Sequence, residues 1–395
     1  MKKTLNAIYA FKFLDDFILI YPLYVVMFTD AGMQPWQVAA LLMAWSATSF
    51  ILEIPSGAWA DKYNRKNLIL LGQLIRAAGY LCWLFFPSFL GFLVGFVLWG
   101  IKGALTSGTF QAFLYDELKH HGRQGEFTKI LGRTQTLSLV AILLASLLAS
   151  PAILLGYPFV LVLSSLAVLL SGLMIWRCPS NAPQMMNQEV TYFSVLKKGV
   201  HMAFRDKTIW QLLVFMALFV ALCGGLDEFW PIFASESGLP DYGLGIYCAL
   251  MSGAEALGSF GAYRWENKGY AHFYGLTILN GLLLCLAAWL FNVLGLILLV
   301  LFSFLFSLLH VLLEGKLHHT IASDARATIA SVSGFLIELV VMIAFFGFGV
   351  VAQIMSYQKA FLIFGFIIAS TGLIYLIPFI RQKSPDKAGQ KRTAR

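Results

Sequence analysis

The 395-residue chain is 59% hydrophobic and only 12% charged, with a formal charge of +8. A soluble protein of this size cannot hide so much apolar surface, because surface falls too slowly relative to volume; a chain that crosses lipid has no need to. The basic excess could mark a nucleic-acid partner, but its distribution along the chain assigns it to topology and leaves nucleic acid no role.

A bilayer core of roughly 30 Å takes about 20 helical residues. The apolar runs predict twelve spans, near 7–28, 36–60, 68–88, 91–118, 131–155, 158–177, 207–233, 243–264, 272–291, 293–315, 327–355 and 360–380. Lys2 and Lys3 before an apolar run imitate a signal peptide. Lys12, Asp15 and Asp16 interrupt that run and no small-residue cleavage site follows, so it reads as an uncleaved first span.

Between the second and third spans, Gly57 stands four residues before Asp61 and lets two helices approach closely. Asp61 then meets Lys62, Arg65 and Lys66 in a turn too short for any domain. Asn64 stands where the chain must bend, and a left-handed backbone is expected there because Asn tolerates it. Taken alone, the segment also reads as a positive loop that only fixes topology.

The one long interruption, 178–206, holds Pro179, Pro183, Asn181, Asn187, Gln184 and Gln188, then a more periodic stretch around Tyr192–Phe204. It predicts a linker with a short amphipathic helix on the membrane surface. The chain then divides into a six-helix bundle over 1–177, a linker over 178–206, a second six-helix bundle over 207–380 and a basic tail over 381–395.

With the N-terminus in the cytoplasm, 24 of the 28 Lys and Arg fall in cytoplasmic segments and only Lys359 falls outside; Lys12, Arg76 and Lys102 lie within spans. That bias predicts both termini in the cytoplasm of a bacterial-type inner membrane, with the tail beside anionic lipid. The five cysteines form neither a disulfide framework nor a metal spacing. Trp36, Trp83 and Tyr157 suit the interfacial aromatic belt.

The halves repeat. Leu14-Asp15-Asp16-Phe17 in span one matches Leu226-Asp227-Glu228-Phe229 in span seven. Glu53 and Lys66 match Glu255 and Lys268, and Asp116, His120 and His121 match Glu314, His318 and His319, all at offsets near 200 residues. Internal repeats are common in secondary transporters, whose site lies between the repeats near the midplane.

Charges inside spans cost about 2.5–3.5 kcal/mol each at mid-membrane on insertion scales, so each needs a partner or a task. The acids are Asp15, Asp16, Glu53, Asp227, Glu228, Glu255, Glu314 and Glu338; the bases are Lys12, Arg76 and Lys102, with His310 as a possible switch. Acids outnumber bases, which favours proton coupling with Asp15, Asp16 or Glu255 as first candidates. Two plainer readings stand beside it: Lys12 and Asp15, one helical turn apart, can form an internal ion pair, and Lys102 can neutralise one carboxylate. His310, Glu314 and His318 share one helix face at metal-ligand spacing. No thiolate or tight ligand set joins them, so neither a metal nor any other cofactor is expected. No phosphate-binding loop and no nucleophile–base spacing occurs, which argues against an ATP-driven pump and against an enzyme.

Gly57 to Lys66 reads G-x-x-x-D-K-x-x-R-K between two spans, and this resembles the signature of the major facilitator superfamily in the loop between its second and third helices. Asn64 and Trp59 stand where the family usually has Gly and Leu. Span count and loop lengths extend the resemblance over the whole chain. It implies an all-α integral membrane protein with twelve transmembrane helices in two six-helix bundles, working as a monomer. It also implies that spans one, four, seven and ten line a central cavity. Here those spans carry Lys12, Asp15, Asp16, Lys102, Asp227, Glu228, His310 and Glu314.

By the same resemblance Asp61 sits beside the start of span eleven, so that Asp61, Arg65 and Arg326 form a latch on the inner gate, with Gly57, Lys62 and Lys66 in the same motif. Asp61→Asn is expected to insert normally but transport slowly. Family exporters often carry a glycine- and proline-rich signature at the outer end of span five; Ala149-Ser150-Pro151-Ala152 lacks its glycine pair. The expected function is proton-coupled, outward movement of a small organic solute through the bilayer by alternating access. The alternative is uptake of a polar or anionic nutrient, or of a metal chelate such as a siderophore, with Lys12, Lys102 or Arg76 meeting its carboxylates. A membrane sensor is the reading outside transport. Export of apolar cations predicts acids exposed among aromatics, whereas anion uptake predicts Lys102 or Arg76 unpaired.

Overall fold

Backbone inside lipid finds no water to bond and must satisfy itself, which leaves helices or closed barrels. The computed structural model describes residues 2–178, 201, 204, 206–321 and 326–383, and no strand occurs among them. The linker expected over 178–206 and the tail over 381–395 fall largely outside the described residues.

The helices are α1 (Lys2–Asp16), α2 (Tyr24–Asp30), α3 (Pro35–Lys62), α4 (Arg65–Phe85), α5 (Phe89–Thr106), α6 (Thr109–His120), α7 (Phe127–Ala152), α8 (Tyr157–Trp176), α9 (Lys207–Gly224), α10 (Trp230–Glu236), α11 (Asp241–Gly261), α12 (Tyr270–Leu290), α13 (Val293–Thr320), α14 (Arg326–Ile354) and α15 (Tyr357–Lys383). Ten helical segments are long and apolar enough to cross a membrane. The first and eighth spans are the two outside that number. The first is split into α1 and α2, and the eighth, α11, carries Asp241, Glu255 and several glycines. With them the passes number twelve.

The chain falls into two compact units. One is Met1–Val190 with Leu239–Ala249, the opening of α11; the other is Thr191–Gly238 with Leu250–Arg395. The first unit is centred on an aromatic cluster. Trp83, fully buried, lies against Phe28, Phe96 and Trp99 with ring centroids 5.1–5.8 Å apart, and its indole N–H donates to the Phe92 carbonyl at 3.1 Å. Trp83 is therefore a core residue and not part of the interfacial belt, because its polar edge finds a backbone partner inside. The tightest pair in the second unit is α12 on α15. A Cβ at Gly281 would stand 2.4 Å from the Ala369 nitrogen, so only glycine permits that approach.

Among the described residues, three spans are discontinuous. Span one stops at Asp16 and resumes at Tyr24, with Pro22, which has no N–H to donate, in the turn between them. Span four breaks at Ser107-Gly108, with Gly108 at φ +67°. Span seven breaks after Gly224-Gly225 and re-forms through a 3₁₀ turn at Asp227–Phe229, with Pro231 in the first turn of α10. The continuous first, fourth and seventh spans expected over 7–28, 91–118 and 207–233 are thus corrected. Asn64 is corrected too: at φ −62° and ψ 117° it is extended, and its side chain caps α4 by accepting from the Asn67 N–H at 3.4 Å.

Candidate functional site

The break in span one leaves the last carbonyls of α1 without intrahelical partners. Arg76, from the middle of α4, fills that need. Its Nη1 donates to the Asp15 carbonyl at 2.8 Å and to Asp15 Oδ1 at 3.3 Å, and its Nε donates to the Tyr80 hydroxyl at 2.9 Å. The guanidinium lies 4.9 Å from the centroid of the Trp99 ring. Lys102 on α5 approaches from the other side, with Nζ 2.9 Å from Oδ1 and 3.2 Å from Oδ2. Asp15, Arg76 and Lys102 are only 4%, 3% and 8% exposed. Two cations at a helix C-terminus also favour its dipole. On the far side of the break, Ser164 Oγ accepts from the Ile20 N–H at 3.1 Å and donates to the Val160 carbonyl at 2.8 Å.

Adjacent residues on a helix point about 100° apart, so Asp16 faces elsewhere. Lys12 Nζ pairs with Asp16 Oδ2 at 2.8 Å and stands 3.9 Å from Asp15 Oδ2. Ser138 on α7 donates to Asp16 Oδ2. The intrahelical pair expected between Lys12 and Asp15 is thus formed chiefly with Asp16.

Above these residues opens a cavity of about 600 Å³ in the first unit. Its charged lining is Lys12, Asp15, Asp16 and Lys102; Gln111 and Gln135 add exposed amides. The break at Ser107-Gly108 forms part of its wall. That volume lies within the usual range of roughly 300–1,000 Å³ for small-molecule sites.

The remaining candidates lie in the second unit. Asp227 and Glu228 sit in the 3₁₀ turn that breaks span seven. Glu255 on α11 lies within electrostatic reach of Asp227. Neither forms an ion pair with a described residue. His310 Nε2 is 3.8 Å from Glu314 Oε1, and its ring stacks on Phe306 with centroids 5.7 Å apart. Glu338 on α14 is half-buried. No group of three or more metal-ligating side chains occurs among the described residues; the side chain of His318 is not among those described.

In the loop motif, Lys62 is exposed and Lys66 Nζ donates to the Cys178 carbonyl at 2.6 Å. Arg65 pairs with Asp116 at the end of span four. The side chains of Asp61 and Arg326 lie outside the described residues, and with them the expected latch. Gly57 has nothing within 4 Å of where a Cβ would stand, so the close helix approach expected there is absent among the described residues.

A sequence model of the Major Facilitator Superfamily matches residues 5–345. The chain belongs to that superfamily. Among curated proteins it is similar to the uncharacterized MFS-type transporter YxaM of Bacillus subtilis (strain 168), at 21% identity over 238 residues; the match spans 58% of this chain and 58% of that relative. Among solved structures it is similar to the nucleoside transporter NupG, with TM-score 0.77 and 16% identity over 96% of this chain and 99% of the other. It is also similar to a bacterial homologue of the human lysosomal transporter Spinster, with TM-score 0.72 and 16% identity over 96% of each chain. A POT family transporter in complex with a thioalcohol-conjugated peptide follows, with TM-score 0.69 and 11% identity over 94% of this chain and 95% of the other. At these identities the likeness is one of fold.

Membership bears out the resemblance carried by Gly57–Lys66. What sequence reasoning missed was the partnering. Arg76 was one base among several, yet it ties the broken span to α4; Tyr80, Ser138 and Ser164 carried no signal beyond being polar. A mid-span arginine always needs a partner, and Asp15 was the nearest acid in kind, but no spacing links residues 61 apart.

Proposed function

We propose that this member of the superfamily is a secondary transporter that moves a small organic solute across the bilayer by alternating access, coupled to protons. The observation that carries this reading is the open, charge-lined cavity at the broken first and fourth spans. A membrane-embedded cavity with polar walls is expensive to maintain in lipid unless a solute uses it. Asp227 and Glu255 fit the proton site better than Asp15 or Asp16. Asp15 and Asp16 are occupied by cations. Asp227 and Glu255 repel one another without a cationic partner among the described residues, and a proton bound at either relieves that repulsion.

In this reading the protein is a monomer of the inner membrane with both termini cytoplasmic, as the basic-residue bias favours. Export remains the first direction. Uptake of a polar or anionic solute gains support from Lys12 and Lys102 in the cavity wall, although Lys102 is paired with Asp15 and Arg76 is buried away from the opening.

The test is proton flux in proteoliposomes under an imposed pH gradient, challenged with cations, sugars and polycarboxylates. Solute-dependent proton movement that is lost in Asp227→Asn or Glu255→Gln is the expected result. Solute equilibration with no proton movement would make the protein a uniporter and end the coupling claim.

A further inference from the structure

Each charged group in the described wall of the first unit's cavity already has a partner. Lys12 Nζ meets Asp16 Oδ2 at 2.8 Å, and Lys102 Nζ lies 2.9 Å and 3.2 Å from the two oxygens of Asp15. Hydroxyls beside them are spent as well. Ser138 donates to Asp16, Thr106 to the Lys102 carbonyl at 2.9 Å and Thr134 to the Leu131 carbonyl at 2.7 Å. Gln111 and Gln135 differ. Both are exposed on the cavity wall, and neither carboxamide meets a hydrogen-bond partner among the described residues.

These two amides lie at the depth of the hydrocarbon. At 1.5 Å per residue, Gln111 is about 10 Å from the middle of span 91–118 and Gln135 about 12 Å from the middle of span 131–155, against a half-thickness of roughly 15 Å. A carboxamide without a hydrogen bond is costly at that depth, so it belongs on a cavity that holds water or solute. Gln111 stands on α6 just past the break at Ser107-Gly108, and Gln135 on α7. Two helices thus bring uncharged groups that both donate and accept to one space. Phe11 and Phe110, with ring centroids 5.5 Å apart, give the same space an apolar side.

We infer that the first unit's cavity selects a small uncharged polar solute, whose hydroxyl or amide groups are bound by Gln111 and Gln135. The inference rests on the reading of this cavity as the solute site and names the class of solute. A carboxamide suits a hydroxyl, a primary amide or a lactam, because these also donate and accept. A charged solute would compete for a partner already in place, an anion with Asp16 for Lys12 or a cation with Lys12 for Asp16. Taking one partner from such a pair strands the other charge. An uncharged solute disturbs neither.

The test is a binding screen on the purified full chain in lipid nanodiscs, read by thermal shift, with affinities of the hits from calorimetry. The probes are glucose beside gluconate and glucosamine, and nicotinamide beside nicotinate, together with a metabolite panel balanced among neutral molecules, anions and cations. The expected hits are uncharged. Their affinity should fall about tenfold in Gln111→Leu or Gln135→Leu, with the melting temperature of the unliganded protein unchanged. Gln111→Glu and Gln135→Glu, which keep the size but lose the N–H donors, should weaken the same hits. Hits that are mainly charged, or uncharged hits indifferent to all four variants, overturn the inference while leaving the transporter reading in place. No hit in any charge class counts against the cavity as a solute site and overturns the inference with it.

Discussion

Arg76→Gln removes the tie between the broken first span and α4. Three contacts go at once: the Asp15 carbonyl at 2.8 Å, the Asp15 carboxylate at 3.3 Å and the Tyr80 hydroxyl at 2.9 Å. Removing one partner of a buried ion pair costs about 3–5 kcal/mol. Lys102 stays on Asp15 and softens that loss, while the abandoned carbonyl adds about 1–3 kcal/mol. The net expectation is about 3–5 kcal/mol, or a shift of about a hundredfold to several thousandfold in the unfolding equilibrium. Arg76→Lys should lose about half as much, because one ammonium keeps the charge but cannot serve a carbonyl, a carboxylate and a phenol together. Unfolding in mixed micelles, followed by far-UV circular dichroism and tryptophan fluorescence, measures it. In the same assay Asp15→Asn placed on Arg76→Gln should cost about 1–3 kcal/mol less than the two single changes added together. An Arg76→Gln protein within about 1 kcal/mol of the parent, with Asp15→Asn strictly additive, would refute the clamp.

Ser164→Ala leaves the Ile20 N–H without its 3.1 Å partner; about 1–3 kcal/mol of stability should go, and hydrogen exchange at Ile20 should quicken while neighbouring helices stay protected. A Cβ at Gly245 would stand 2.0 Å from the Ser146 carbonyl oxygen, and Ile246 N–H reaches Ser150 Oγ at 3.1 Å. Gly245→Ala should therefore push the opening of α11 off α7 at a cost of about 1–3 kcal/mol, and lower the yield of a disulfide between Ser150→Cys and Ile246→Cys; an unchanged yield counts against that packing. Arg65 and Asp116 are partly exposed, so reversing either charge should cost under about 1 kcal/mol of stability yet slow transport, and reversing both together should restore it. Burial, helped by Glu117 and opposed by Lys66, pushes the Cys178 thiol up to about 11. The charged thiolate is the disfavoured form, so at pH 8 alkylation of Cys178 should run about a hundredfold or more slower than that of an exposed thiol, and peptide mapping by mass spectrometry reads this directly.

Span positions were legible because apolar run length is set by bilayer thickness, and α3 to α8 fall within a few residues of the expected ranges. The break in span one was not read, although Pro22 stood in the sequence, because hydropathy runs unchanged through Phe17–Leu23 and masks the interruption. A place near a span end points Trp83 to the interface; its burial depends on Phe28, Phe96 and Trp99 closing around it, which composition does not reveal. Site charges were legible as a set and illegible as pairs. Asp15 and Asp16 are neighbours in sequence, yet one turns toward Arg76 and Lys102 and the other toward Lys12 and Ser138. Helical rotation decides which, and the cations that receive Asp15 come from helices 61 and 87 residues away.

The two repeats of the Leu-acid-acid-Phe motif sharpen this point. Leu14–Phe17 and Leu226–Phe229 both fall where the first span of a half is broken. In each half the motif stands where a helix stops, so the same local chemistry meets the same backbone need. The surroundings then diverge. Arg76 and Lys102 secure Asp15, and neither α12 nor the stretch of α13 before Lys316 carries an arginine or lysine to do the same for Asp227. A carboxylate fixed between two cations is a structural tie and an anchor for local charge. On the proposed reading, a carboxylate with another acid, Glu255, as its charged neighbour is the one that takes up the proton. One copy of the motif, on that reading, holds the helix break together and sets the charge of a cavity, and the other takes up the proton. Proton-flux loss confined to Asp227→Asn or Glu255→Gln, beside stability loss confined to Arg76→Gln, is the pattern that this division of roles requires.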